Sequence, residues 1–374
     1  MVTVNELLNV AREKKASDLH LTVGLPPKMR VDGELINMNY PKLTPPDIES
    51  IALGLMNEKQ RDIFTKDGEL DFAFSVPQVG RFRTNVFRQR GSVALCMRLV
   101  GTVVPEPETL GVPSSVVELY KKKRGLVLVT GPTGSGKSTT LYTALSELNS
   151  EHVNIVTVED PVEANIQGIN QVQVNVKADM TFASALRSIL RQDPDIIMIG
   201  EIRDEETANI AVTASITGHL VVSTLHTNSA AASITRLADM GLDNYLIADS
   251  MVGVIAQRLA RRLCVCKKPK QANEFEKRLI RVPENENVTI YEPCGCAQCG
   301  NTGYRGRIGV YEMMTITKKI KNVISAKGTT EDIEKMAVHD GMRTLHDSAA
   351  RLVREGITSM GELRRIVYSN DEDM

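Results

Sequence analysis

Short apolar runs alternate with segments of helical periodicity through residues 114–374. The apolar runs predict strands at Leu126–Thr130, Asn154–Val158, Ile196–Ile199 and Leu220–Leu225. Segments in which apolar residues recur every three or four positions predict helices at Lys137–Leu148, Phe182–Arg191, Thr207–Ile216 and Ala230–Met240. Apolar strands that alternate with helices are typical of a mainly parallel sheet covered on both faces. This part of the chain is therefore predicted to be an α/β domain.

A different pattern, typical of an α+β module, covers residues 1–100. One helix is predicted at about Val4–Lys14, and residues 47–64 are predicted to form a second helical stretch. Alternation of apolar and polar positions predicts strands around Leu19–Val23, Met29–Val31, Leu35–Asn37, Leu70–Phe74, Phe82–Phe87 and Val93–Val100. Asp32–Gly33 lies between two of these runs and is a strong hairpin signal.

The boundary between the two patterns lies at residues 101–113. This segment, GTVVPEPETLGVP, contains three prolines and two glycines among few large apolar side chains. We therefore predict an N-terminal domain at 1–100, a linker at 101–113 and a second domain at 114–374. The second domain would include a cysteine-rich subdomain at 264–299 and a helical C-terminal part.

Composition and charge narrow the classes of partner. The formal net charge is −1, aromatic residues make up 4% of the chain, and tryptophan is absent. Neither a strong electrostatic attraction to nucleic acid nor an aromatic stacking surface is expected from such a chain. No apolar run approaches the roughly 20 residues that span a bilayer, and no signal peptide is recognisable at the N-terminus. The sequence predicts a cytoplasmic protein.

A glycine-rich segment between the first predicted strand and helix of the second domain matches the P-loop pattern G-x-x-x-x-G-K-[ST]. Its backbone is predicted to cradle nucleotide phosphates through the residues Gly131, Pro132, Thr133, Gly134, Ser135, Gly136, Lys137, Ser138 and Thr139. Lys137 is expected to reach the β- and γ-phosphates, and the Ser138 hydroxyl is expected to bind Mg²⁺.

Acidic residues follow two of the predicted parallel strands, at the edge of the sheet where ligands bind. Glu201 follows Ile196–Ile199 and is a better candidate for Mg²⁺ or for the attacking water than Asp195, which precedes that strand. Glu163 lies on a loop after the Asn154–Val158 strand and is a candidate general base. Glu159 and Asp160 are alternatives for Mg²⁺.

Two histidines bracket the Leu220–Leu225 strand. A histidine at a strand end can hydrogen-bond a phosphate and respond to its loss. His226, after the strand, is the stronger candidate for this role, and His219, before it, is the weaker.

Five of the six cysteines fall between residues 264 and 299. Cys264 and Cys266 form one close pair, and Cys296 and Cys299 form another 29 residues later, while Cys294 is left over. Two close pairs joined by a loop suggest a structural, tetrahedral Zn²⁺ site. Metal-free thiols are the alternative. The neighbouring basic residues are predicted to form a solvated face or a subunit contact; they are Arg258, Arg261, Arg262, Lys267 and Lys268.

These segments, in this order, resemble the secretion ATPase superfamily of type II secretion and type IV pili. The family's P-loop is similar to GPTGSGKST, its Asp box to TVEDPVE, its Walker B segment to MIGEIRDEETA and its His box to TGHLVVSTLHTNSA. Its N-terminal PAS-like domain is similar to ASDLHLTVGLPPKMRVDG and GRFRTNVF. The resemblance covers nearly the whole chain, and four boxes in order are far more specific than a P-loop alone.

The resemblance implies a fold and a set of roles. It implies an N-terminal PAS-like α+β domain followed by a RecA-like ATPase domain, assembled as a homo-hexamer that hydrolyses ATP with Mg²⁺. Glu163 would be the catalytic base, Glu201 the Walker B acid and His226 a γ-phosphate sensor. Arg83 and Arg98, with Arg81 as a neighbour, match positions from which family members send arginines onto the nucleotide. Ordinary surface arginines on strands are the alternative.

Two features of the sequence favour different kinds of motor. The cysteines and the ending GMRTLHDSAARLVREGITSMGELRRIV resemble the assembly type, although C-x-C departs from the usual C-x-x-C. The short length and SDLHLTVGLPPKMRVDG resemble the retraction type. We favour an assembly or secretion motor, with pilus retraction as the alternative. The implied partner is an inner-membrane platform protein, which would hold the chain at the cytoplasmic face of the membrane.

Two other classes of function stay open at this point. The chain could bind ATP as a regulatory switch or adaptor without hydrolysing it. A nucleic-acid translocase is also conceivable for a RecA-like ring, but the near-neutral charge and the few aromatic residues argue against a nucleic-acid partner.

Overall fold

The computed structural model describes residues 3–14, 16–31, 34–76, 79–100 and 107–368 and consists of two units. The first unit is an antiparallel sheet with three helices. The units are Met1–Val103 and Val104–Met374. The elements of the first unit are α1 Val4–Glu13, β1 Asp18–Leu21, β2 Lys28–Val31, β3 Glu34–Asn37, α2 Pro45–Leu55, α3 Glu58–Asp67, β4 Glu69–Val76, β5 Gly80–Gln89 and β6 Ser92–Val100. Its strands follow the order β3-β2-β1-β6-β5-β4.

One face of this sheet is apolar and packs on the helices. Leu19, Phe82 and Met97 are buried there, against Leu8 of α1 and Ile48 of α2. The predicted β2–β3 pairing is confirmed, with Val31 opposite Glu34. Its Asp32–Gly33 turn lies outside the described residues, as do residues 101–106 of the predicted linker.

The single helical stretch predicted at residues 47–64 is wrong, because the structure has two helices there. The chain is extended at Met56, and α3 starts after Asn57. The Asn57 side chain accepts the N–H of Gln60, and the Gln60 side chain accepts the N–H of Asn57. This reciprocal capping box fixes the start of α3, so α2 and α3 are separate helices.

The second unit is built on a seven-stranded sheet. Its elements are α4 Pro107–Leu110, α5 Ser114–Tyr120, β7 Gly125–Thr130, α6 Lys137–Leu148, β8 Ile155–Glu159, β9 Asn170–Gln173, α7 Phe182–Ile189, β10 Ile196–Ile199, α8 Glu205–Thr217, β11 Leu220–Leu225, α9 Ala230–Asp239, α10 Asn244–Ser250, β12 Met251–Leu263, β13 Lys268–Gln271, α11 Glu274–Leu279, β14 Thr289–Glu292, β15 Tyr304–Thr315, α12 Lys318–Ser325, α13 Thr330–His339, α14 Leu345–Arg354 and α15 Met360–Tyr368. The sheet order is β15-β12-β7-β11-β10-β8-β9.

All neighbours in this sheet are parallel except β12 and β15. The central strands are buried on both faces, so the apolar runs of the sequence carry no alternation. Leu126 and Leu128 face one core layer, and Val127 and Val129 face the other. The predicted α/β class is thus confirmed.

The long antiparallel pair β12–β15 is absent from the sequence prediction. β12 runs beside β7 and carries Gln257 and Arg258 to the loop that follows β7. Each helix in the described part of the chain is too short or too polar to span a bilayer.

Candidate functional site

The glycines of the P-loop have backbone conformations that other residues rarely adopt. Gly131, Gly134 and Gly136 have φ values of +147°, +79° and +89°. A Cβ on Gly131 would lie 2.4 Å from the backbone oxygen of Gln257. The loop leaves β7 and enters α6 at Lys137, so backbone N–H groups at a helix N-terminus are available to an anion.

Lys137 folds back onto this loop. Its Nζ donates to the carbonyl oxygens of Gly131, at 2.7 Å, and Pro132, at 3.1 Å. Burial lowers the pKa of Lys137 to about 8; Glu201 opposes this shift, and Arg258 adds to it. A half-buried ammonium whose hydrogen bonds, within the described part of the chain, are to carbonyl oxygens is well placed to exchange them for phosphate oxygens.

Glu201 and His226 meet next to Lys137. Glu201 follows β10, its side chain is 13% exposed, and its carboxylate pairs with Arg203 and lies 3.5 Å from His226 Nε2. Burial and the Lys137 ammonium lower the pKa of His226, while Glu201 acts in the opposite direction. His226, the Glu201 carboxylate and the Lys137 ammonium therefore converge at the carboxyl edge of the parallel strands, as the sequence predicts.

Asp195 and His219 lie at the other end of their strands. The Asp195 carboxylate accepts the N–H of Asn154 at 2.7 Å. His219 Nδ1 lies 3.1 Å from the carbonyl oxygen of Ala214 at the end of α8. Both contacts are structural, which agrees with the lower rank of these two residues in the sequence analysis.

The structure contradicts the Mg²⁺-binding role that was the alternative for Glu159, the glutamate at the end of β8. Glu159 was a candidate for Mg²⁺, but its side chain is only 3% exposed and is held by Tyr142, Thr157 and Gln171. A carboxylate that already accepts three hydrogen bonds in the core is not free to bind a metal. Asp160 and Glu163, which follow it, are exposed on the loop.

Two residues that contact the site were missed. Gln257 donates from Nε2 to the carbonyl oxygen of Ser135 at 2.9 Å. Arg258 donates to the backbone and side-chain oxygens of Asn228, at 3.2 Å and 3.0 Å, in the loop after His226. The predicted solvated role of Arg258 is therefore wrong, since the residue is 5% exposed. An R-L-A-R-R run carries no local sign that its first arginine is buried.

Arg83 and Arg98 lie in the first unit. They are opposite each other on β5 and β6, and cross-strand partners share a face of the sheet. Arg98 Nε donates to Asp18 Oδ1 at 2.9 Å, while Arg83 is exposed. Their action on a nucleotide stays a prediction.

Four cysteines come together at the end of β12. The Sγ atoms of Cys264, Cys266, Cys296 and Cys299 all lie within 4.8 Å of one another. The pairs 264–296, 266–299 and 296–299 are separated by 3.8, 3.9 and 3.7 Å. A tetrahedron with Zn–S bonds of about 2.3 Å has edges of about 3.8 Å. Cys294 is exposed and outside the cluster.

The surroundings of Cys299 favour its thiolate form. Desolvation raises the pKa of Cys299, but hydrogen bonds from the N–H groups of Cys296 and Gly303 outweigh it and lower that pKa to about 6. Those N–H groups lie 3.1 Å and 3.2 Å from its Sγ. Metal-binding knuckles need such donors, because a thiolate is the ligand form of cysteine.

Comparison with known proteins agrees with this geometry. A family model described as type II/IV secretion system protein matches residues 2–365. The chain is 41% identical to type II secretion system ATPase E of Vibrio cholerae serotype O1, over 97% of this chain and 74% of the relative. It is 43% identical to the type IV pilus assembly ATPase PilB of Acinetobacter baylyi, over 97% of this chain and 65% of the relative.

A solved structure extends the likeness to the fold. The crystal structure of the pilus retraction motor PilT with bound ADP matches with a TM-score of 0.78 and 34% identity. The match covers 98% of this chain and 97% of that one. This similarity confirms the predicted architecture, in which a RecA-like α/β unit follows an α+β unit.

Proposed function

The chain belongs to the type II/IV secretion system protein family and is an ATPase, and on this premise we propose that it works as a homo-hexameric motor for type IV pilus assembly or type II-like secretion. The observation that carries the proposal is the convergence of Lys137, Glu201 and His226 at the mouth of the P-loop. Nucleotide hydrolysis needs three kinds of group in one place: a cation that binds phosphate, a carboxylate and a titratable side chain.

The P-loop residues fit a nucleoside triphosphate with Mg²⁺. Three positive-φ glycines shape the cradle, and within the described residues the buried Ser135 Oγ has no hydrogen-bond partner, so it is available to a phosphate oxygen. Lys137 would exchange its carbonyl contacts for the β- and γ-phosphates. Ser138 and Glu201 would hold Mg²⁺, which neutralises charge on the phosphates.

Hydrolysis would then use Glu163 and His226 of the second unit and two arginines of the first unit. Glu163 would take a proton from the attacking water, whose oxygen bonds to the γ-phosphorus as the bond to ADP breaks. His226 would contact the γ-phosphate and respond to its loss through its contact with Glu201. Arg83 and Arg98 would stabilise the charge that develops on the transferred group, as arginine fingers do.

The four-cysteine cluster fits a structural Zn²⁺ ion. Its sulfur spacings match a tetrahedral thiolate site, and four sulfur ligands leave no open position for catalysis. The ion would fasten the end of β12 to residues 296–299. We expect about one zinc per chain by elemental analysis, loss of zinc in Cys264→Ser, and full retention in the matched control Cys294→Ser. Full zinc content in Cys264→Ser would contradict the assignment.

The main alternative is a retraction motor, because the solved retraction motor has the same fold. The relatives at 41–43% identity, which drive secretion and pilus assembly, support the assembly or secretion role instead. The proposed partner is an inner-membrane platform protein that recruits the ring to the cytoplasmic face.

A genetic experiment separates the alternatives. The gene is deleted and then complemented with the wild type or with Glu201→Gln, and surface pili and secreted proteins are counted. Loss of pili or of secretion, restored by the wild type alone, supports the proposed role. Excess pili would mean retraction. Native mass spectrometry of the full chain with nucleotide tests the hexamer, and a persistent monomer would contradict it.

A further inference from the structure

Tyr142 is on α6, the helix that follows the P-loop, and its hydroxyl contacts the loop that carries Glu163. It accepts the N–H of Glu163 at 2.9 Å and the N–H of Ala164 at 3.4 Å. It donates in turn to a carboxylate oxygen of Glu159. Tyr142 is 4% exposed, so these contacts are shielded from water.

Gln171 on β9 holds the same loop through a second set of hydrogen bonds. Its Nε2 donates to the carbonyl oxygen of Ala164 at 2.8 Å and to Glu159 Oε1 at 3.1 Å. Its Oε1 accepts the N–H of Ile166 at 2.8 Å. The backbone from residue 163 to residue 166 is therefore fastened at both ends, although it is a loop.

We propose that Tyr142 is a positioning residue for ATP hydrolysis, because its hydroxyl sets the place of the Glu163 backbone relative to the P-loop. Tyr142 lies five residues after Lys137 on α6, so one helix carries both the phosphate-binding lysine and the anchor of the base. This inference rests on the proposed role of Glu163. It adds to that role the contact through which the P-loop helix controls the geometry of the base.

The protonation of Tyr142 suits this arrangement. Burial raises the pKa of Tyr142, and the Glu159 carboxylate raises it further, so the phenol keeps its proton at neutral pH. The proton is directed to Glu159, and the oxygen lone pairs are left for the two backbone N–H groups. Tyr142→Phe would leave those N–H groups and one carboxylate oxygen without their partner in the core.

A role confined to stability is the competing explanation, and Tyr120 provides a matched control. Tyr120 is equally buried in the same unit, and its hydroxyl has no hydrogen-bond partner within the described residues. Tyr120→Phe therefore removes a buried hydroxyl that anchors nothing. Both variants keep the aromatic ring and its packing.

The test measures steady-state phosphate release and the affinity for a fluorescent ADP analogue in the full chain. A displacement of the base by a fraction of an ångström to about 1 Å lowers turnover by about 10- to 100-fold. We expect this fall in kcat for Tyr142→Phe, with KM and ADP affinity within about twofold of the wild type, and no change for Tyr120→Phe. Equal kcat in Tyr142→Phe and the wild type would overturn the inference, and so would an equal loss in Tyr120→Phe.

The double variant separates this inference from the proposed function. If Tyr142 acts through Glu163, adding Tyr142→Phe to Glu163→Gln lowers the residual rate no further. Full activity in Glu163→Gln alone would refute the role of Glu163. A large loss in Glu163→Gln with none in Tyr142→Phe would refute only the positioning role.

A second variant covers the case in which Tyr142→Phe does not fold. Gln171→Met removes the other anchor of the loop at similar volume, and Gln171 is only partly buried. It is expected to lower kcat with unchanged ADP affinity. Wild-type kcat in Gln171→Met would then count against a fastened loop.

Discussion

Gly131→Ala tests whether the P-loop is shaped by contact with β12. The φ of +147° at Gly131 is in a region that is nearly restricted to glycine, at a cost of about 1–3 kcal/mol for other residues. The new Cβ would lie 2.4 Å from the Gln257 backbone oxygen and 2.7 Å from Ser135 Oγ. Overpacking against such rigid neighbours costs typically about 1–3 kcal/mol. The free energy of unfolding is expected to fall by about 2–6 kcal/mol.

Gly134→Ala is the matched control. Gly134 also has a positive φ, +79°, but no atom lies within 4 Å of its built Cβ. Only the backbone cost of about 1–2 kcal/mol applies to this variant.

The assay is thermal unfolding by circular dichroism without nucleotide. Each kcal/mol lowers Tm by about 2–4 °C in a domain of roughly this size. Gly131→Ala is therefore expected to lose about 4–24 °C, and Gly134→Ala about 2–8 °C. If the two variants melt together, or if Gly134→Ala melts lower, the packing of the P-loop against β12 is not what the structure indicates.

Two further predictions concern charge and capping. Nucleotide affinity is expected to fall about tenfold from pH 7 to pH 9, because the phosphates bind protonated Lys137, whose pKa is lowered to about 8 by burial. Titration with a fluorescent ADP analogue at each pH measures this affinity. An affinity that does not change with pH would contradict the prediction. Glu312 accepts the N–H groups of Ala230 and Leu345, at 2.8 Å and 3.1 Å, where α9 and α14 begin. Glu312→Ala is expected to cost about 1–3 kcal/mol for each unpaired buried group; calorimetry checks this, and an unchanged Tm in Glu312→Ala would refute the double cap.

The sequence predicted those features that depend on local pattern. Ile196–Ile199 and Leu220–Leu225 are strands with the predicted ends, because buried parallel strands are simple apolar runs. Glu201 and His226 were identified because parallel strands deliver the residues after them to one edge of the sheet.

Features that depend on distant contacts were missed. Gln257 meets Ser135 across 122 positions of sequence, and only the pairing of β12 with β7 brings them together. The sequence pattern treats Tyr142 as an ordinary apolar position of a helix, and only the fold shows that its hydroxyl contacts the backbone of Glu163. By contrast, the spacing of the cysteines already selected the four that cluster and left Cys294 out, because each close pair is a local feature.

Phosphate release by the full chain with Mg²⁺ and ATP is the most direct test of an ATP-hydrolysing motor whose site is organised by Glu201. We expect turnover by the wild type and by Glu151→Gln, which changes an exposed glutamate of the same unit. Glu201→Gln is expected to lose about 100-fold or more in kcat, because it removes a charge that would hold Mg²⁺ in the transition state, while it still binds a fluorescent ATP analogue. ATP binding without turnover by the wild type would mean a non-hydrolysing switch, and wild-type turnover by Glu201→Gln would contradict the site described above.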